Sequence, residues 1–110
     1  MSLRTPWFVQ ELAAHDPELG WRVEQQLRWA TAPGSLDAKT KLLLVLAIDA
    51  VKGSRRGVQV VAEQARRAGA AEAEIQECLR LAYAIAGLDC LAAVACAFSS
   101  NREGDGDESV

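Results

Sequence analysis

The chain is poor in the residues that most active sites are built from. It has one histidine, His15, and three cysteines, Cys78, Cys90 and Cys96, none of them in a CxxC pair. A metal site needs a cluster of such ligands, so no metal is expected. An odd number of cysteines without paired spacing argues against a disulfide framework and fits a reducing, cytoplasmic setting. The expected role of all three is that of small buried hydrophobes. No basic stripe is present. Four acids in the last ten residues, against Arg102, account for the whole net charge of −3, so the body is neutral. A neutral body has no field to steer nucleic acid, which is not expected as a partner. Nor is a membrane: no basic region followed by an apolar run opens the chain as in a signal peptide. The apolar run Leu42 to Ile48 is far short of the roughly 20 residues of a span.

What the chain does have is helix punctuation. Thr5-Pro6 and Asp16-Pro17 each read as a cap followed by proline in the first turn. Pro33-Gly34 stops the second helix near Ala32. Ser35-Leu36-Asp37 opens a third, which Gly53 closes. Ser54 caps a fourth that ends at Gly69, and a fifth starts near Ala71 with Glu72 and Glu74 in its first turn. Gly87 interrupts it, and Asp89 caps a last short helix. No alternating β pattern occurs. The expected fold is all-α: a compact, oligomeric bundle of five to six helices, one domain over residues 1–100 with an acidic disordered tail over 101–110.

The faces of these helices refine the picture. Leu19, Val23, Leu27 and Ala30 share one arc of the second helix, while Trp21 and Trp29 fall on another side. Two aromatics off the main stripe suggest a second contact: first a subunit interface, otherwise intrachain packing or a ligand pocket. The third helix is apolar all round from Leu42 to Val51 except at Asp49. A helix of that kind is central and covered on every side, and in so short a chain a partner subunit is expected to help. Asp49 is explained either by a salt bridge to Lys52, Arg55 or Arg56, or as a polar group held in a pocket. In the fourth helix Val58, Val61, Ala62, Ala65 and Ala68 face inward. In the fifth Ile75, Cys78, Leu79 and Ala82 do the same.

The order "DPELGWRVEQQLRWA", "PGSLDAKTKLLLVLAI", "AEQARRAGA", "EAEIQECLRLAYAIAG" resembles the carboxymuconolactone decarboxylase family, which includes the alkylhydroperoxidase-like (AhpD-like) proteins. The resemblance covers about residues 8 to 97. Its most specific parts are Ala65 to Ala70 and Glu72 to Glu77. It implies an all-α fold that assembles as a trimer or hexamer. Redox-active members carry a CxxC at the start of the fourth helix, a His four residues beyond the second Cys, and a Glu on the preceding helix. Counted from Gly69-Ala70, those positions fall on Ser54, Gly57, Val61 and Leu42. None matches. Thiol peroxidase chemistry is therefore not expected, no cofactor is implied, and the chain reads as a divergent member with a degenerate site. Its expected role is oligomeric binding or scaffolding. The alternative is a small-molecule enzyme with an altered cleft at Asp49, Ser54, Arg55 and Arg56, the adjacent arginines being able to hold an anionic group. A small-molecule ligand stays open on either reading. His15, at a helix end, is expected to face solvent.

Overall fold

The computed structural model describes residues 5–99; the expected acidic tail lies outside them. Among those residues there are six α-helices and no strand: α1 (Trp7–His15), α2 (Pro17–Thr31), α3 (Ala38–Lys52), α4 (Arg55–Arg67), α5 (Glu72–Ala86) and α6 (Leu88–Ala95), followed by a 3₁₀ turn, Cys96–Phe98. The all-α bundle expected from the sequence is what forms.

Most caps act as the sequence implies. Asp16 accepts the Leu19 N–H at 3.1 Å, Asp37 the Thr40 N–H at 2.8 Å, and Ser54 the Gly57 N–H at 3.3 Å. The first helix differs: Pro6 itself is the cap, without a side-chain bond, and Thr5 stands outside. Two helices end on left-handed glycines, Gly53 (φ 75°) and Gly69 (φ 102°). At the first, Ser54 N–H donates to Asp49 C=O and Gly53 N–H to Ala50 C=O. At the second, Ala70 N–H donates to Ala65 C=O and Gly69 N–H to Arg66 C=O. Both are Schellman endings, which satisfy the last carbonyls of the helix and require a residue that tolerates positive φ.

The core lies where α3 meets α4 on one side and α5 on the other. Leu42, Leu46, Val61, Ala62, Ala65, Ala70 and Ile75 form one buried cluster, with Leu46 and Ala65 fully enclosed. Small residues on α4 let it approach α3 closely. Two contacts set the α3–α5 register. Lys39 Nζ donates to Glu74 Oε2 at 3.0 Å, and the Cys78 thiol to the Leu43 carbonyl at 3.0 Å, both at a separation of 35 residues. A constant separation means the two helices run parallel, with Val51 level with Ala86.

The periphery departs from the sequence expectation in several places. The α1–α2 hairpin packs on itself through Ala13 and Gly20, where a glycine Cβ would be 2.4 Å from that of Ala13. Its link to the rest is where α2 meets α3. The predicted stripe of α2 is therefore only partly covered: Val23 and Leu27 are half-buried, while Leu19 and Ala30 are exposed. The outer face of α3 is also open at Leu44, Ile48 and Val51, so one chain does not cover that helix on every side.

Gly87 does not break the chain direction either. It sits in the right-handed helical region, its N–H donating to Tyr83 C=O and its C=O accepting from Leu91 N–H, both at 3.0 Å. Asp89 makes no cap; Gly87 holds that place. The helical path thus runs from Glu72 to Phe98, a stretch long and apolar enough, by length and composition alone, to cross a membrane. The expectation that nothing approaches that length is corrected. Counting unbroken apolar runs overlooked that Gly87 and a single Asp89 leave the stretch apolar on average. Cys90 and Cys96 lie on it and are exposed, contrary to the expected burial; only Cys78 sits in the core stripe.

Candidate functional site

The junction of α3 and α4 brings together most of the residues singled out by the sequence. The Schellman ending at Gly53 reverses the chain in two residues, which turns the last inward-facing residue of α3, Asp49, toward the first turn of α4. There it meets Ser54 and Gly57. A Cβ on Gly57 would stand 2.6 Å from Asp49 Oδ2 and 2.7 Å from Ser54 Oγ. Glycine leaves room there for two oxygens that a larger residue would have to push aside. Asp49 and Ser54 are both half-buried.

Asp49 forms no ion pair and no side-chain hydrogen bond among the described residues, so the expected bridge to Lys52, Arg55 or Arg56 does not form. The reason is directional. Asp49 shares the inward face of α3 with Leu42 and Leu46, whereas Lys52, Arg55 and Arg56 are exposed. Adjacent residues on a helix diverge by about 100°, so the two arginines do not converge on one cleft. Arg56 instead lines an open groove of about 240 Å³ with Gln59, Val60, Glu63 and Arg67 on the outside of α4. That groove contains neither Asp49 nor Ser54.

Deeper along the same interface, Leu42 (4% exposed) and Val61 (3%) belong to one buried cluster. These are the positions that the resemblance assigns to a Glu and a His. They fall in the same buried cluster, whose members are all hydrocarbon. One polar neighbour went unnoticed in the sequence: Gln64 is buried, and its Oε1 has no hydrogen-bond partner among the described residues. A helical wheel would have found it, since it lies about 60° from Val61.

The remaining candidates are dispersed. Trp21 and Trp29 are exposed, at 61% and 81%, on α2. His15 is exposed at the end of α1. The Cys78 thiol is raised by burial, against a smaller lowering from the Ala47 backbone, which keeps it from acting as a ready thiolate.

The carboxymuconolactone decarboxylase family model matches residues 17–98. The chain belongs to that family. No curated protein and no solved structure gives a significant match. The segments that carry the family likeness have structural work in this member. Ala65, Gly69 and Ala70 form the second Schellman ending. Glu72 pairs with Arg66 at 2.6 Å, Glu74 accepts the Ala71 N–H at 2.9 Å and bonds Lys39, and Ile75 enters the core.

Proposed function

We propose that this family member lacks CxxC-dependent thiol peroxidase activity and acts as an oligomeric binding or scaffold protein. The observation that carries the reading is the joint burial of Leu42 and Val61. Thiol chemistry needs groups that take and return protons at the reacting sulfur. Here both relay positions are hydrocarbon, and the second cysteine position is Gly57, whose side-chain space Asp49 already fills. The Ser54 hydroxyl serves as a helix cap, and no histidine stands near it to activate it. Assembly as a trimer or hexamer rests on family resemblance and is supported by the uncovered faces of α2 and α3. A cytoplasmic location is supported by the three free cysteines.

The test is peroxide consumption with a reduced dithiol donor. The rate stays at background, with or without serine at positions 78, 90 and 96. A rate above background in the wild-type protein would sink the proposal.

A second reading, a small-molecule enzyme with an altered cleft, is favoured by one observation: Asp49 and Ser54 present two converging oxygens with no cation paired to them. Arg55 and Arg56 do not join them. On this reading Asp49→Asn abolishes turnover of a screened substrate while leaving the fold intact. Turnover unchanged by that substitution removes the reading.

A further inference from the structure

Several large apolar side chains of this chain have nothing over them, and the largest group follows from the parallel α3–α5 register. That register places Ile48 and Val51 at the same end of the bundle as Leu81 and Ile85, all more than half exposed. From there α6 continues the same helical path away from the core through Leu88, Leu91 and Val94, meeting chiefly the segments that adjoin it in sequence. A helix that is apolar all round is ordinarily enclosed. With Tyr83 and Phe98 at 83% and 86% exposure, the α5–α6 arm alone offers on the order of 1,000 Å², comparable to what each partner contributes to a stable protein interface.

We infer that the α5–α6 arm is the main contact between copies of this chain, its occupant being a second copy and not a lipid bilayer. The inference rests on the oligomeric part of the function proposed above and adds the surface that makes it. Charge decides between the two occupants. Asp89 lies within the apolar stretch and has no ion pair among the described residues; inside hydrocarbon it would be strongly disfavoured. The arm leads into Glu103, Asp105, Asp107 and Glu108, a charge that an anionic membrane surface repels. A second copy, by contrast, offers cations. Lys52 and Arg55 flank the exposed Val51 end of α3 and are likewise unpaired among the described residues. The apolar arm and the complementary charges are thus both present on one chain, as a self-associating surface requires.

The experiment measures the mass of the full chain in solution by light scattering, alongside labelling of Cys90 by a maleimide read by peptide mass. Wild type is expected to contain two or more chains, and Leu91→Asp to lower the mass. Arg56→Ala, outside the arm, is expected to leave it unchanged. Cys90, exposed in the single chain, is expected to label at least tenfold more slowly in the native protein than in denaturant. The labelling decides the matter on wild type alone if Leu91→Asp does not fold. A monomeric wild type overturns both this inference and the oligomeric reading. An oligomer whose mass survives Leu91→Asp, or whose Cys90 labels at the full rate, overturns this inference only. Flotation of wild type with phosphatidylcholine–phosphatidylglycerol vesicles overturns the choice of occupant.

Discussion

The carboxylate of Asp49 fills the space that a side chain at Gly57 would need, with Oδ2 2.6 Å from the position of its Cβ. The two residues are eight apart in sequence and on different helices. Their contact makes the cost of a substitution at one depend on the other. Gly57→Ala is expected to destabilise the wild-type protein by about 1 kcal/mol through overpacking. In an Asp49→Ala background the Asp49 contact is gone and only Ser54 Oγ remains, at 2.7 Å, so the same change should cost less, helix propensity offsetting about 0.5–1 kcal/mol. Urea denaturation of the four proteins checks this; equal effects in both backgrounds would show that the contact is not felt.

Leu46 is fully enclosed between α3 and its neighbours, whereas Leu44, on the outer face, is 49% exposed. Leu46→Ala should therefore cost about 2–5 kcal/mol from lost burial and the cavity left behind. Leu44→Ala should cost well under half of that. Comparable losses in unfolding free energy would contradict the assignment of the core.

Gly69 ends α4 at φ 102°, where a Cβ meets nothing within 4 Å but the backbone conformation itself is unfavourable. Gly69→Ala should lower stability by about 1 kcal/mol or more through backbone strain alone. A neutral or stabilising result in thermal unfolding would argue against this helix ending.

Gln64 keeps a buried Oε1 without a donor among the described residues. An unsatisfied buried oxygen of this kind costs about 1–3 kcal/mol. Gln64→Met, similar in volume, should raise stability by about 1 kcal/mol. A loss of stability instead would mean that the oxygen receives a donor in the assembled protein.

Three carboxylates, two of them exposed and Glu74 half-buried, have pKa values lowered in the folded state. Asp37 is lowered by hydrogen bonds from Thr40, Glu72 by its bond from Arg66, and Glu74 first by the Ala71 N–H and then by Lys39. A lowered folded value means that the unfolded chain takes up protons first as pH falls. The stabilisation is complete above the ordinary carboxylate range and disappears as pH drops through roughly 4 and below. Glu74→Gln should flatten the dependence of the denaturation midpoint on pH in that window, and salt should weaken it. An unchanged slope would remove Glu74 from the account.

Much of the fold was legible in the chain because its signals are local. Asp16, Asp37 and Ser54 cap helices that follow them directly, and Gly53 and Gly69 supply positive φ where two helices stop. The inward faces of α4 and α5 follow from a spacing of 3.6 residues per turn. Gly87 misled for the same reason: its identity permits a break, but whether the i→i−4 ladder continues depends on the surrounding helix. Asp49 misled because a cation three or six residues away is within reach on paper, while its side chain turns to the inside of the bundle.

The candidate site divides in the same way. The sequence by itself determined the family and which residues stand at its chemical positions, since both depend only on order and spacing. The tertiary structure alone decided that Leu42 and Val61 fall in one buried cluster, that Asp49 fills the place of a side chain at Gly57, and that Arg55 and Arg56 stay outside. It also decided that the apolar helix Glu72–Phe98 is left largely uncovered. Those outcomes depend on how helices distant in sequence pack against each other, and close packing admits only the side chains whose volumes fit the space between them.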